Sequence, residues 1–245
     1  REMPIYASEP KIPDIDKYGK TRIKPIKDFL TNKNQNYSPV DKSEEFLTSL
    51  KKDEMKFVIL TVDLKGSTIL SQSLEKYENA KIISLFIREM SSIVNNYRGY
   101  VLKYVGDGLI AYFPEPNFIG KNDNAVDCGF AMILVLRNTI NKILMKQRLP
   151  KLKLRIGIDS GEAIIVDMGN ESIKMHKDLI SETVNLSSKI QSLAPENSMA
   201  IGDSTARNLH VSRRTFFEKT IPDGWKYTTK KGEIYPVHVL KFKTY

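Results

Sequence analysis

Two aspartates in this chain are placed to do chemistry. Asp63 follows the apolar run KFVILTV at residues 56–62 and opens the loop Asp-Leu-Lys-Gly-Ser-Thr. Asp107 sits at the tip of Gly106-Asp107-Gly108, between apolar runs at residues 100–105 and 109–113. If the first run is a strand beside a hairpin made by the other two, its end meets the hairpin tip and the two carboxylates lie side by side. Like charges so close repel unless a cation lies between them. Carboxylate oxygens are hard ligands that suit Mg²⁺ or Mn²⁺, ions that keep positions open for water and phosphate oxygens. Two such ions about 3.5–4 Å apart can carry out phosphoryl transfer, one acidifying an attacking hydroxyl and the other neutralising the leaving oxygens. Gly66, Ser67 and Thr68 come next and offer backbone N–H groups and hydroxyls to phosphate oxygens. An Asp-Gly hairpin alone is ordinarily just a turn, and Gly-Ser-Thr alone a helix cap. Their combination is what points to a triphosphate.

The elements that must hold these residues follow from periodicity. Residues 56–62 read as a buried strand. Residues 75–97 carry Ile82, Ile83, Phe86, Met90, Ile93 and Val94 at helical spacing, and Gly99 ends that helix. The runs at 100–105 and 109–113 form a hairpin, with Asp-Gly supplying the positive φ angles of a two-residue turn. A second long helix is predicted over 123–146. Strands at 152–159 and 162–167 are predicted around a turn at Ser160-Gly161, then a helix at 183–193 that Pro195 stops. A short strand at 199–201, a helix at 204–208 and short strands over 215–242 with a turn at Lys231-Gly232 complete the chain. The order strand–helix–hairpin–helix–strand is an α/β (α+β) arrangement, a ferredoxin-like split βαββαβ core with an antiparallel sheet. Residues 1–50 differ: five of the eleven prolines fall there. They read as an irregular amino-terminal arm with a short helix at 43–51, ahead of a catalytic domain over 51–245.

Composition narrows the class. The chain has 245 residues, 41% apolar and 27% charged, which suits a globular domain of this size without staples. Its one cysteine, Cys128, lies in the apolar run GFAMILVL and reads as a packing residue, so the compartment expected is reducing and cytoplasmic. No signal peptide is visible at the first residue, and no apolar run approaches the roughly 20 residues of a membrane span. The net charge of +9 is spread along the chain, with no aromatic-interleaved basic stripe, and reads as a solvated lysine-rich surface; no nucleic acid partner is expected. His176, His210 and His238 form no cluster in the sequence, and Trp225 reads as packing.

Four segments carry a resemblance. TVDLKGSTILS, KYVGDGLIAYF, LRIGIDSGEAIIVDMG and KDLISETVNLSSKIQSLA occur in this order, and KKGEIYPVHVL follows. Together they resemble the signature blocks of class III adenylyl and guanylyl cyclase catalytic domains over about residues 56–240. The resemblance implies closure of a nucleoside triphosphate into a 3′,5′-cyclic monophosphate with release of pyrophosphate, using two Mg²⁺ or Mn²⁺ per site. It assigns Asp63, Asp107 and the carbonyl of Leu64 to metal, and Lys103 and Asp178 to the base. Asn185 is assigned to the ribose, Lys189 to the transition state at the α-phosphate, and Lys231 to the terminal phosphates. Two positions depart from the pattern. Lys189 replaces an arginine and cannot fork two hydrogen bonds onto a phosphate. Ser181 stands where glycine is usual.

The resemblance also implies a head-to-tail homodimer with two sites at its interface, because the metal aspartates and the Asn185, Lys189, Lys103, Asp178 set, which come from different protomers in that family, are all in this chain. A lysine and an aspartate at 103 and 178 resemble the pair that reads adenine, which puts ATP ahead. The near-bare catalytic domain is also similar to stand-alone bacterial cyclases of the Pycsar anti-phage type, so UTP or CTP is the alternative and GTP comes last. A degenerate cyclase used as a binding module is the non-enzyme alternative. The hairpin reads VGDGL, which sets the chain apart from GGDEF-type diguanylate cyclases.

Overall fold

The computed structural model describes residues 14–31, 40–50, 53–114, 118–169 and 175–241. The apolar run around residue 60 forms the central strand β1 (Glu54–Leu64). Val58, Leu60 and Val62 point to one face of the sheet, and Phe57 and Ile59 to the other, so the strand is apolar on both sides. The loop after it enters a short helix α3 (Ser67–Ser73) and then α4 (Lys76–Asn96). The hairpin β2 (Tyr100–Val105) and β3 (Gly108–Phe113) follows, β3 pairing antiparallel with β1. A helix α5 (Phe118–Val135) crosses the sheet and leads to β4 (Leu154–Met168), antiparallel to β1 on its other side. The sheet order β2-β3-β1-β4 is that of the split βαββαβ core.

The sheet grows beyond that core. Strand β5 (His176–Ile180) pairs with the far half of β4, and helix α7 (Glu182–Leu193) follows it. Strand β6 (Ser198–Gly202) lies parallel to β4, and β8 (Val237–Leu240) and β7 (Phe217–Thr220) add antiparallel edges. Short helices α8 (Asp203–Arg207) and α9 (Val211–Arg214) fill the connection. One apolar layer, containing Phe86, Met90, Ile93 and Met132, packs α4 and α5 under the sheet. On the opposite face, Val184 of α7 packs with Phe46 and Leu47 of α2 (Val40–Ser49).

Three sequence expectations change. Residues 160–161 make no turn: β4 runs unbroken through Ser160 and Gly161. The glycines of this strand serve helix packing instead, because a Cβ on Gly157 would stand 2.1 Å from the Ser187 carbonyl and one on Gly161 would stand 2.1 Å from Thr183 Oγ1. The amino-terminal region is not irregular where it is described. Helix α1 (Ile15–Thr31) docks its fully buried Ile26 in the main core, and Arg22 forks onto the fully buried Glu89 of α4 at 2.8 and 2.9 Å. The second long helix is interrupted by a π-helical turn (Leu136–Ile140) before α6 (Asn141–Lys146). Gly19 of α1 comes so close to that turn that a Cβ would lie 2.5 Å from Thr139 Oγ1. Residues 120–146 form a helix long and apolar enough to cross a membrane, and it is mostly buried against the sheet. Cys128 on it is fully buried, and burial pushes its thiol up well above the usual range.

Candidate active site

Asp63 is the penultimate residue of β1, paired across the sheet with Arg155. Asp107 lies in the two-residue loop Gly106-Asp107, closed by the Val105–Gly108 pair. The positive φ in that loop belongs to Gly106, at 59°, as a type II′ turn requires at its first position. The sequence expectation of a turn on Asp107-Gly108 is therefore shifted by one residue. Gly108 has a different task. A Cβ there would stand 2.4 Å from the Val62 carbonyl and 3.1 Å from Asp63 Oδ1. Only glycine lets the hairpin tip press against the end of β1.

The result is a carboxylate pair. Asp107 lies close enough to act directly on the Asp63 carboxyl. Burial first, and then repulsion from Asp107, push the Asp63 carboxyl from 3.8 up to about 6. Arg155 and the backbone N–H of Leu64 pull the other way. Asp107 Oδ2 is buried with no hydrogen-bond partner among the described residues. A buried anionic oxygen without a donor is costly, and a hard divalent cation is the partner that its chemistry fits. Among the described residues no group of three or more His, Cys, Asp or Glu side chains gathers. The two aspartates would therefore share an ion with backbone carbonyl and phosphate oxygens. Leu64, the expected carbonyl ligand, ends β1 directly beside them.

Gly66 takes φ 81°, in the left-handed region, and its carbonyl accepts from the amides of Ile69 and Leu70. Ser67 and Thr68 start α3. A cleft of about 270 Å³ opens beside the loop between Gly66, Ser67, Lys151, Lys153 and Glu196; neither aspartate lines it. Arg155 is a candidate site residue that sequence reasoning did not single out. Its Nε is buried without a hydrogen-bond partner among the described residues, while Nη1 donates to the Ser192 carbonyl at 2.9 Å. Its place opposite Asp63 is a matter of strand register, which no motif in the sequence marks.

A second pair forms elsewhere. Lys103 Nζ donates to Asp178 Oδ2 at 2.6 Å, although 75 residues separate them. Leu102 of β2 and Leu179 of β5 share one apolar cluster beside the pair. Asp178 shares a face of β5 with Ile180, which is 55% exposed and pairs with the 48% exposed Ile164 of β4. Ser181 caps α7 by accepting from the Thr183 amide and donates to the Glu162 carbonyl. That gives a local reason for serine at 181. Thr183, Val184, Ser187 and Ile190 turn α7's other side into the sheet, and Asn185 and Lys189 stand on its exposed side, four residues apart and so on one face. Lys189 Nζ lies 5.9 Å from the centre of the Tyr227 ring. Lys231 is exposed in the turn closed by Thr229 and Glu233. Among the described residues no hydrogen bond or ion pair joins the Asp63–Asp107 pair to Lys103, Asp178, Asn185 or Lys189.

The comparisons with known proteins agree with this geometry. The adenylate and guanylate cyclase catalytic domain family matches over residues 50–236. An adenylate cyclase of Anabaena cylindrica is 24% identical over 163 residues, covering 63% of this chain and 31% of that protein. A cytidylate cyclase of Staphylococcus aureus is 30% identical over 165 residues, covering 63% of this chain and 38% of that protein. The match thus spans about a third of the length of these relatives. The fold is shared with the adenylyl cyclase CyaB from P. aeruginosa, at 23% identity and a TM-score of 0.66, over 79% of this chain and 97% of that one. By its sequence match over three quarters of its length, and by its split βαββαβ core, this chain belongs to the class III adenylate and guanylate cyclase catalytic domain family.

Proposed function

We propose that the chain closes a nucleoside triphosphate to its 3′,5′-cyclic monophosphate and releases pyrophosphate, acting as a head-to-tail pair of identical copies. The observation that carries this reading is the pressed pair Asp63–Asp107 with an orphaned buried carboxylate oxygen. Mg²⁺ or Mn²⁺ held by Asp63, Asp107 and the Leu64 carbonyl supplies Lewis-acid activation of the 3′-hydroxyl and neutralises phosphate charge when bound. The chain's own residues do the rest. The loop Gly66-Ser67-Thr68 offers amides and hydroxyls to the phosphates, and Arg155 and Lys231 add positive charge for the β- and γ-phosphates. Asn185 orients the ribose so that its 3′-oxygen stands in line with the α-phosphorus. Lys189 stabilises charge growing on the α-phosphate. Positioning and fixed charge supply most of the rate in such a reaction.

Two copies are needed because the aspartate pair and the Asn185–Lys189 face are unconnected within one chain. The exposed Ile164 and Ile180 beside Asp178 give the second copy an apolar surface to cover. Lys103 and Asp178 form a donor and an acceptor at the base. Adenine fits them, giving its amino group to Asp178 and its bare ring nitrogen to Lys103. Cytosine presents the same pattern on a smaller ring, and the similarity to a cytidylate cyclase favours CTP as the second reading. The test is product analysis by mass after incubation with ATP, CTP, UTP and GTP in turn with Mn²⁺. Cyclic AMP is expected, lost in Asp63→Ala and Asp107→Ala. Cyclic CMP instead moves the base assignment, and no cyclic product from any nucleotide refutes the enzyme reading in favour of a binding module.

A further inference from the structure

Tyr227 lies across the working face of α7. Glu182, Asn185 and Lys189 occupy that face at spacings of three and four residues. Tyr227 lies close to Glu182 at the helix start, and Lys189 Nζ approaches the same ring two turns later at 5.9 Å from its centre. The ring is itself held. It meets Tyr235 edge-on, with centroids 5.7 Å apart and planes at 82°. Tyr235 donates its hydroxyl proton to the fully buried Asp159 at 2.9 and 3.0 Å and accepts from the Ser204 amide at 2.8 Å. The Trp225 indole N–H donates to the Tyr235 carbonyl at 2.8 Å, and the Tyr235 amide donates to the Tyr227 carbonyl at 2.8 Å. The aromatic segment is thus pinned to the sheet and presents one ring to one ammonium.

We propose that Tyr227 is a positioning residue for Lys189, a role that rests on the reading of Lys189 as the cation at the α-phosphate. A lysine ammonium is a point charge on a flexible four-carbon stem and lacks the planar fork with which an arginine fixes itself on a phosphate. The electron-rich face of a fixed ring attracts that ammonium and restricts its stem. Tyr235, packed edge-on against the ring and bonded through its amide to the Tyr227 carbonyl, limits how far the ring can turn away. No ion pair with a described carboxylate competes for Lys189. Its charge is therefore steered without being neutralised, which a carboxylate partner would not achieve.

The test is steady-state kinetics with ATP and CTP plus Mn²⁺ on the full chain. The variants are Lys189→Ala, Tyr227→Leu, Tyr227→Phe and the double variant Tyr227→Leu with Lys189→Ala. Tyr227→Leu is expected to lower kcat about two- to fivefold with KM little changed, the scale of a part-exposed cation–π contact. Tyr227→Phe keeps the ring and is expected to lose less than about twofold. The decisive comparison is non-additivity: in the Lys189→Ala background, Tyr227→Leu is expected to change nothing further. An equal drop in both backgrounds overturns the positioning role and leaves the Lys189 reading standing. An effect confined to KM overturns it too. If Lys189→Ala itself leaves kcat unchanged, the reading of Lys189 falls and the positioning role falls with it. Tyr227→Phe guards against a variant that merely unfolds, since a loss there as large as in Tyr227→Leu also refutes the ring as the seat.

Discussion

Replacing Asp63 by asparagine should stabilise the metal-free protein and abolish its response to Mn²⁺. The magnitude comes from the carboxyl's displacement. Asp63 titrates near 6 in the folded chain against an ordinary 3.8, a difference of about two pH units. Each unit corresponds to about 1.36 kcal/mol, so ionising Asp63 in the folded protein costs about 3 kcal/mol at most. Asp63 is partly accessible to water, and the asparagine variant loses the charge that strengthens the bond from the Leu64 amide, so the expected net gain is about 1 kcal/mol. The sign is fixed by linkage. A carboxyl that holds its proton more tightly when folded makes the folded state take up protons between about pH 4 and 6. Stability of the wild type without metal is then greatest below about pH 4, as far as this group is concerned, and is lost as pH rises through about 6. The asparagine variant has no such slope.

The assay is thermal melting followed by circular dichroism, in EDTA and in Mn²⁺, at about pH 5 and about pH 7.5, on either side of the folded-state value. In EDTA at the higher pH the variant should melt about 2–4 °C above the wild type. The advantage should shrink at the lower pH. Mn²⁺ at about a hundred times its dissociation constant should stabilise the wild type by about 2.7 kcal/mol and leave the variant unmoved. A variant that melts lower than the wild type in EDTA at the higher pH, or that still rises with Mn²⁺, would refute the view of Asp63 and Asp107 as a repelling pair waiting for a cation.

Four further outcomes follow from the same structure. Burial raises Asp159 to about 7, above its ordinary 3.8, so it too makes stability fall as pH rises from about 4 to 7, with Asp203, Tyr235 and His238 as its titratable surroundings; Asp159→Asn should flatten the melting temperature across that window, and an unchanged slope refutes it. Gly157→Ala places a Cβ against the backbone of Ser187 and Gln191 and should cost about 1–3 kcal/mol in chemical denaturation, prising α7 from β4 and lowering activity with it. Arg22→Ala strips the fork from the fully buried Glu89 and should cost toward the lower end of about 3–5 kcal/mol, because Arg88 also approaches that carboxylate; a loss below about 1 kcal/mol would show that α1 contributes little. Asp178→Ala should reduce kcat/KM for the preferred nucleotide by about 10- to 100-fold while narrowing its advantage over the other three, and a uniform loss across all four would remove Asp178 from the base.

The parts of this molecule that are legible in the sequence share one property: their signal is local. The run around Val58, the helical spacing from Ile82 to Val94 and the hairpin flanking Asp107 each carry their period within a few turns. The order of those elements then constrains the sheet, and the meeting of Asp63 with Asp107 follows from that order. What local pattern misreads is glycine and proline. Gly161 beside Ser160 looks like a turn, yet its bare Cα exists because Thr183 lies on top of it. Pro25 reads as part of an irregular arm, yet it lies within α1, which is held by Ile26 and Arg22 through partners more than sixty residues away. In both places a tertiary contact decides the conformation, and the sequence window contains only half of it.

The same distinction separates the site residues that motifs mark from the one found only in three dimensions. Lys103 and Asp178 can be named because a motif marks each of them separately, and the structure then joins them although β5 pairs with β4. Arg155 has no such mark. It lies in an apolar strand where a lone arginine reads as a surface residue. Its meaning comes from a register pairing with Asp63 and from a buried Nε without an acceptor. On the proposed reading, Asp107 Oδ2 and Arg155 Nε, both buried without a hydrogen-bond partner among the described residues, would meet a metal ion and a phosphate oxygen respectively. A polyphosphate bound with its divalent ion would supply both, which is why the proposed substrate class fits these two atoms.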